Sequence, residues 1–239
     1  MKQKNAFKTV NLNTQIVSST TLTVRSNECH LLMTNPRSKT DQLSETTKSW
    51  LKEKAVEQVL GLKKTVETKQ MKKGTMCLPH SIDLYNQVMQ TNYKQNNRTK
   101  HKYGFVATPT LLGGGCAIKV CTSWDATTFP FFDDEVSKLV KRAGYDWQCR
   151  VYMMLFEIDT AQVSYCLVDT PMEAPDGEIL LHYWDDYLLH KFEGSVDPQK
   201  RVSVSAPMER DQGIEKKMLE RYEVANSYYQ KYVEELCNK

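Results

Sequence analysis

The chain has 239 residues, a formal net charge of +3 at pH 7 and 26% charged residues. A hydrophobic content of 40% excludes a wholly disordered chain and a fibrous repeat. No apolar run approaches the roughly 20 residues that a membrane span needs. No apolar stretch follows the basic start Met-Lys-Gln-Lys-Asn, so we expect a cytoplasmic protein without a secretory signal or a membrane partner.

The charges are divided unequally between two parts of the chain. Residues 1–104 carry 18 basic and 7 acidic side chains, whereas residues 105–239 carry 14 and 22. The amino-terminal part therefore has a net charge of +11, which favours an anionic partner such as nucleic acid.

Seven widely spaced cysteines in a chain without a signal peptide argue against a disulfide framework. We expect most of them to be reduced and packed as small hydrophobic residues. Cys77 and His80 have the spacing of half a zinc site, but no second pair matches it. We therefore predict no metal site at these residues.

The first predicted elements are mostly helical. Residues 1–24 are polar and indicate an arm or, at most, an edge strand. Ser44 is a cap for a predicted helix that ends at Gly61. Residues 62–74 indicate a basic connection, and Pro79 opens a short amphipathic helix.

Short strands follow in the middle of the chain. Residues 103–106, 111–112 and 116–122 have the composition of strands, and the three glycines 113–115 separate the last two. Glycine readily adopts the positive φ of a hairpin turn. A phosphate-cradling loop is the alternative, but no Lys-Ser/Thr pair follows and no helix begins there, so we favour a hairpin.

The rest of the chain alternates helices and strands. The pattern predicts a helix at 147–156 and a strand at 162–168. It then predicts an aromatic-rich helix at 177–190, a short strand at 201–205 and a long charged helix at 215–236. This order is typical of an α+β or mixed α/β fold.

Two motifs carry a resemblance to a known family. Residues 107–125 read Ala-Thr-Pro-Thr-Leu-Leu-Gly-Gly-Gly-Cys-Ala-Ile-Lys-Val-Cys-Thr-Ser-Trp-Asp, and residues 145–153 read Tyr-Asp-Trp-Gln-Cys-Arg-Val-Tyr-Met. Together with Lys73-Gly74 and the run 25–33, they resemble the PD-(D/E)XK nuclease superfamily. The likeness is strongest to the phage lambda exonuclease and YqaJ-like viral recombinases of phages and mobile elements, and covers about residues 25–170.

The resemblance implies a restriction-endonuclease-like core, in which a central mixed sheet is flanked by helices. It implies a single nuclease-like domain at 25–239, with its core at about 74–170 and a carboxy-terminal helical and strand extension at 171–239. Residues 1–24 would precede this domain as the polar arm. The implied location is the cytoplasm of a bacterial host cell.

The residues that carry catalysis in this family are replaced here. The family uses acidic side chains to hold Mg²⁺ and a lysine to position the nucleophile. The corresponding catalytic positions read Leu78, Thr110, Lys119 and Cys121, and Gln148 is retained. Residues 119 and 121 share one face of a strand, where an ammonium group would repel a divalent cation by several kcal/mol at about 4 Å. We therefore expect no metal or other cofactor, with Mg²⁺ only if activity is retained.

The family position for a 5′ phosphate is altered as well. A pair of small serines in the family corresponds to Asn27 and Glu28, and Glu28 would repel a phosphate. The second glutamine of a Trp-Gln-x-Gln element has become Arg150, whereas Arg25 is retained. Functional positions have changed while the framework around them is kept, which indicates a fold maintained without cutting.

Several basic and aromatic residues are candidates for DNA contacts. Lys119 places a cation at a position where the family binds metal, so it is expected to favour phosphate. A solvated basic connection is an equal alternative for the 63–73 lysines, and Trp124 belongs to an aromatic group that is more often core than stacking surface. The DNA-binding candidates are Arg25, Lys63, Lys64, Lys69, Lys72, Lys73, Trp124 and Arg150.

These observations predict a catalytically degenerate DNA-recombination protein with an exonuclease-like fold, which binds double-stranded DNA, DNA ends or a protein partner. One alternative is an active Mg²⁺-dependent 5′–3′ double-stranded DNA exonuclease with relocated acids, for which the candidates are Asp83, Asp125, Asp133, Asp134 and Asp146. Another is an interaction subunit that does not bind DNA. The resemblance implies a ring-shaped homo-oligomer, a ring with an active paralogue, or a single-strand annealing protein as the partner.

Overall fold

A computed structural model describes residues 20–63, 65–182 and 187–239 of the chain. No helix in these ranges is long and apolar enough to cross a membrane. The same ranges contain seven α-helices: α1 Cys29–Leu32, α2 Glu45–Leu60, α3 Lys69–Met76, α4 Leu78–Met89, α5 Asp133–Arg142, α6 Tyr145–Phe156 and α7 Gln212–Cys237.

The strands of the described chain form two sheets. In chain order they are β1 Val24–Arg25, β2 Lys100–Lys102, β3 Phe105–Ala107, β4 Leu111–Gly113, β5 Cys116–Thr122, β6 Thr160–Cys166, β7 Val202–Val204 and β8 Met208–Glu209. The smaller sheet has the order β1-β3-β2, and the larger has the order β4-β5-β6-β7, with β8 also paired to β6. Both sheets mix parallel and antiparallel pairs, which confirms the predicted mixed α/β class.

The parallel strands β5 and β6 lie in the middle of three layers. Ala117 and Cys121 of β5 belong to the hydrophobic cluster that contains α6 and α7, whereas Ile118 and Val120 belong to the cluster that contains α4. Side chains of a strand alternate between faces, so positions 117, 119 and 121 share one face as predicted. Strands covered on both faces are normally almost entirely apolar. Lys119 in the centre of β5 therefore stands out as a polar exception.

Local signals place α2 and the β4-β5 hairpin. The Ser44 hydroxyl accepts the Thr47 backbone N–H at 3.0 Å, and α2 ends at Gly61, whose φ is 67°. In the hairpin, Gly114 and Gly115 have φ of 57° and 74°. These are conformations that favour glycine, so both predictions are confirmed.

The prediction of a basic connection at 62–74 is wrong in its second half. The Thr68 side chain accepts the Met71 backbone N–H and begins α3, and Gly74 lies inside this helix instead of ending it. A good cap stabilises a helix by about 1 kcal/mol, which is similar to what an interior glycine costs. The stabilisation by the Thr68 cap therefore offsets the free-energy cost of Gly74 within the helix.

The helix predicted near 177–190 is also wrong over the residues that the structure describes. Gly177 has φ of 85°, and its N–H donates to the Ala174 carbonyl in a tight turn. The described helical residues of this segment are the 3₁₀ helix Tyr187–Leu189, and residues 183–186 lie outside the described ranges. The aromatic residues of this segment indicated a helix, but the Leu180 N–H donates to the Met172 carbonyl at 2.8 Å, so the residues after the turn pair with the segment before it.

The fold begins before the predicted domain boundary at residue 25. Leu22 and Val24 are buried in the main cluster. The Tyr222 hydroxyl of α7 donates to the Leu22 carbonyl at 2.8 Å, and the Leu22 N–H donates to Asn226 Oδ1 at 2.9 Å. Residues 1–19 of the predicted arm lie outside the described residues.

Candidate functional site

Four positions singled out by the sequence meet at one cleft of about 480 Å³. Leu78 begins α4, Thr110 immediately precedes β4, and Lys119 and Cys121 lie on β5. The helix α3 and neighbouring elements supply the rest of the lining: Gln70, Met71, Gly74, Thr75, Val120, Thr122 and Tyr145. The fold therefore brings these four predicted positions together.

The cleft contains one cation and no carboxylate among its described lining residues. The cation is Lys119, and it forms no ion pair with any residue in the described part of the chain. Within the same residues, no group of three or more His, Cys, Asp or Glu side chains is placed to hold a metal ion. Mg²⁺ requires several oxygen ligands, so these lining residues do not fit it.

Tyr145 and Cys121 lie beside Lys119. The Lys119 Nζ is 5.2 Å from the centroid of the Tyr145 ring, within the range of a cation–π contact. Burial raises the pKa of the Cys121 thiol, although Lys119 and Tyr145 act in the opposite direction. The charge that Cys121 would carry and burial both raise the pKa of Tyr145. Both groups are therefore neutral near pH 7 and leave the Lys119 charge uncompensated.

Thr110 and Leu78 give the cleft a different chemistry from that of a metal site. The Thr110 hydroxyl accepts the Val120 backbone N–H at 3.3 Å and so connects the start of β4 to β5. Leu78 is half-buried and packs against the hydrophobic cluster around α4. The cleft therefore combines hydroxyl and apolar surface around a single ammonium group.

Gln148 and Arg150 lie on α6 but do not line the cleft. Gln148 is buried, and its Nε2 donates to the Tyr152 hydroxyl at 2.5 Å, while its Oε1 lacks a hydrogen-bond partner among the described residues. Arg150 is half-buried, with its guanidinium 5.9 Å from the centroid of the Trp147 ring. The structure does not bring these two residues into contact with Lys119.

A second pocket, of about 550 Å³, lies beside Arg25 and Glu28. Glu28 was expected to repel phosphate, but its Oε1 is 2.7 Å from Lys54 Nζ, and its Oε2 accepts the Arg25 backbone N–H at 3.0 Å. The negative charge of Glu28 is therefore compensated inside the protein. The other lining residues are Trp50, Lys52, Glu53, Val56, Glu57, Leu62 and Lys63.

The prediction that Lys73 contacts DNA is wrong. Its side chain is fully buried, and its Nζ donates to the Trp124 carbonyl at 2.7 Å. The Thr170 hydroxyl donates to the same carbonyl at 3.1 Å. The Trp124 ring is half-buried and meets the His190 ring edge-on, with centroids 5.2 Å apart, so Trp124 is largely a packing residue.

The other lysines of the predicted basic tract are dispersed. Lys72 forms ion pairs with Asp176 and with Glu178, the latter at 2.6 Å. Lys63 is 3.4 Å from Glu57 and lines the pocket beside Arg25. Lys69 is half-buried on α3, and the remaining lysine of the tract, Lys64, lies outside the described residues.

None of the five acids considered as relocated metal ligands lines the cleft. Asp125 accepts hydrogen bonds from Thr127 and Thr128. Burial acts to raise its pKa, but these bonds outweigh burial and lower the pKa. Asp146 is half-buried beside α1. The remaining three are exposed on helices: Asp83, Asp133 and Asp134.

Tyr145 is a cleft residue that we did not select from the sequence. It is the first residue of α6, three positions before Gln148, and it belongs to the second family-like motif. Its place in that motif is the sequence signal for it, since Gln148, three positions further along α6, does not line the cleft.

Comparison with known proteins supports the fold. No family model and no curated protein matches the chain. A crystal structure of a phage-related exonuclease from Haemophilus somnus 129PT is similar, with a TM-score of 0.83, 26% identity, and coverage of 92% of this chain and 99% of that chain.

An alkaline exonuclease from Laribacter hongkongensis, LHK-Exo, is more distantly similar. Its TM-score is 0.62 with 13% identity, over 93% of this chain and 95% of that chain. A complex of LHK-Exo with dAMP has a TM-score of 0.58 with 12% identity, over 94% of this chain and 93% of that chain. With the architecture described above, these similarities show that the chain has the PD-(D/E)XK nuclease fold in its lambda exonuclease and YqaJ-like form.

Proposed function

We propose that this protein is a degenerate exonuclease of phage or mobile-element DNA recombination, which binds duplex DNA without cutting it. The observation that carries the proposal is the cleft itself. The four family positions line it, Lys119 lies among them, and none of its described lining residues is a carboxylate. A cleft at the positions that the resemblance assigns to catalysis, with a cation and without a described carboxylate, is suited to holding the phosphates of DNA.

Electrostatics supports phosphate as the group held in the cleft. Two unit charges about 4 Å apart interact by roughly 4 kcal/mol at the effective dielectric of a protein surface. This energy would oppose a divalent cation beside Lys119 and favour a phosphate there. Lysine is an effective phosphate ligand because its ammonium group acts as a compact point charge.

The compensated charge of Glu28 favours DNA binding over a role as an interaction subunit only. An uncompensated carboxylate would repel a DNA end at the pocket beside Arg25. The contact of 2.7 Å between Glu28 and Lys54 removes this objection. On this proposal the protein acts on DNA in the cytoplasm of a bacterial host, and the ring-shaped assembly and the annealing partner remain proposals by resemblance.

The test combines a cleavage assay with a binding assay on one end-labelled duplex. We expect no digestion with Mg²⁺ or with a chelator. We also expect binding that weakens linearly with log salt concentration in both conditions. Lys119→Gln should reduce the magnitude of the log–log slope by about 1, because one phosphate contact is lost, while Lys141→Gln on α5 should leave the slope unchanged.

Two outcomes would contradict the proposal in different ways. Digestion that the chelator abolishes would show an active metal-dependent nuclease with relocated ligands. A salt slope near zero for the unmodified protein would leave the interaction-subunit alternative, which a native mass measurement with candidate partner proteins would then address.

A further inference from the structure

An exposed basic ribbon, defined here as residues 94–102, borders the cleft. It comprises β2 and the segment before it. Between Asp83 and Asp125 the sequence contains no Asp or Glu. The exposed charged and titratable residues of the ribbon are Lys94, Arg98, Lys100, His101 and Lys102.

Most of the ribbon's charge is uncompensated. Lys102 is 2.9 Å from Glu157. The other three cations form no ion pair with residues in the ranges that the structure describes, and Lys100 Nζ is 5.1 Å from the centroid of the Phe156 ring. A row of unpaired cations raises the local concentration of a polyanion.

Hydrogen bonds hold the ribbon next to the cleft. The Asn96 backbone N–H donates to the Thr110 carbonyl at 2.8 Å, and its side-chain amide donates to the Pro109 carbonyl at 2.9 Å. The hydroxyls of Thr99 and Thr108 are 2.8 Å apart. Since Thr110 lines the cleft, these contacts place the ribbon directly beside the cleft.

We propose that the basic ribbon binds the phosphate backbone of duplex DNA alongside the cleft. This inference rests on the proposed function and adds the surface along which the duplex lies. Exposed Gln95 and Asn97 supply uncharged donors between the cations, and contacts of this kind position DNA without reading its sequence. Lysine on an edge strand also prevents unwanted strand pairing, but Lys94 and Arg98 precede β2 and are not needed for that.

The test uses the full chain, a blunt-ended 5′-phosphorylated duplex and a triple variant, Lys94→Gln, Arg98→Gln and Lys100→Gln. We expect the log–log salt slope to fall in magnitude by about 2 to 3, and the dissociation constant at about 100 mM salt to rise about tenfold or more. The matched control removes the same charge from exposed lysines elsewhere: Lys39→Gln, Lys141→Gln and Lys217→Gln. This control should leave the slope unchanged.

A measurement on the unmodified protein removes any dependence on the folding of the variants. Lysine acetylation read by mass spectrometry should show DNA protecting Lys94 and Lys100 but not Lys39 or Lys141. If the unmodified protein binds DNA while the triple variant binds equally well and the ribbon lysines are unprotected, the ribbon is not the contact surface and the proposed function still stands. If the unmodified protein shows no salt-dependent binding, the proposed function itself fails.

Discussion

Lys73 places an amino group in the protein interior. Among the described residues its Nζ has one hydrogen-bond acceptor, the Trp124 carbonyl, at 2.7 Å. Burial lowers the pKa of Lys73 from 10.5 to about 8, although Cys77, Asp125 and Asp169 act in the opposite direction. The charged amine therefore costs the folded state free energy that the unfolded chain does not lose.

We expect Lys73→Met to change how stability depends on pH. Between pH of about 8 and 10.5 the unfolded state binds more protons at residue 73 than the folded state, so this lysine adds stability as pH rises. Buried cysteines and tyrosines titrate with the opposite effect, so the prediction concerns the difference between the unmodified protein and the variant. Urea unfolding under reducing conditions should show the variant's relative stability decreasing by up to about 3 kcal/mol as pH rises through this window.

Gln70→Met is the control for this prediction. Gln70 lies on the same helix but is exposed and carries no ionisable group. Its replacement should give a stability difference that does not vary with pH over the same range. A pH-independent difference for Lys73→Met would show that Lys73 stays protonated in the folded protein up to its ordinary pKa, as a solvated lysine does.

At the residue scale, the sequence predicted four positions that line the cleft, but neither Tyr145 nor the placement of the neighbouring lysines. Lys119 and Cys121 could be assigned because they lie within a recognisable motif. Lys73 could not be distinguished from Lys72, since both occur in a basic tract. Lys73 is placed by its bond to Trp124, and Lys72 by its ion pair with Asp176. Both partners are distant in sequence, so a local pattern does not predict them.

Helix α3 shows how a glycine can be kept where the backbone does not require it. Gly74 lies in the helix interior and lines the cleft, and an added Cβ would meet nothing within 4 Å. Gly104 lies in the turn between β2 and β3 with φ of 78°, and an added Cβ would come within 2.1 Å of the Tyr222 ring. The backbone conformation and the nearby Tyr222 ring therefore require glycine at position 104, whereas neither kind of constraint applies at position 74.

We predict opposite effects of alanine at these two positions. Gly74→Ala should stabilise the protein by about 0.5–1 kcal/mol, because alanine loses less backbone entropy in a helix than glycine does. Gly104→Ala should destabilise it by at least about 1 kcal/mol, from the positive φ and the clash together. Thermal or urea unfolding of the two variants measures both changes in stability. A Gly74→Ala variant that is less stable than the unmodified protein would show that the wall of the cleft requires this glycine.

At the element scale, predictions succeeded where the signal is local. The Ser44 cap, the Gly61 stop and the glycine turn of the hairpin depend on neighbouring residues only, so the sequence was sufficient. The helix expected near 177–190 was predicted from aromatic residues, whereas the backbone of Leu180 bonds to Met172 in the preceding segment. Aromatic content predicts burial better than it predicts backbone conformation.

At the scale of the whole molecule, α7 holds the first described part of the chain. Tyr222 and Asn226 bond to the carbonyl and the N–H of Leu22, at 2.8 and 2.9 Å, and Leu22 is buried in the main cluster. Both contacts were beyond sequence prediction, because residues 200 positions apart give no common local pattern.

We expect Tyr222→Phe and Asn226→Ala to be coupled. Each variant leaves one buried polar group of Leu22 unpaired, at about 1–3 kcal/mol. Loss of one contact lets Leu22 shift, which weakens the remaining contact. The double variant should therefore lose about 0.5–1 kcal/mol less unfolding free energy than the sum of the two single variants. Unfolding free energies of the four proteins measure this coupling.

A pair without a shared partner provides the comparison. Lys138 pairs with Asp134 on α5 and does not contact Leu22. Tyr222→Phe and Lys138→Ala should therefore give additive losses. Additivity in the Tyr222 and Asn226 pair as well would mean that the two contacts stabilise the fold independently.

The attachment of Leu22 to α7 also constrains the order of events during synthesis. The two ends of the contact are separated by 200 residues, which a ribosome takes about 10 to 40 seconds to translate at about 5–20 residues per second. During that interval Leu22 lacks its partners on α7, although the β4-β5 hairpin can already form. The main hydrophobic cluster therefore closes late, after α7 has left the ribosome, and the nascent chain exposes apolar surface until then.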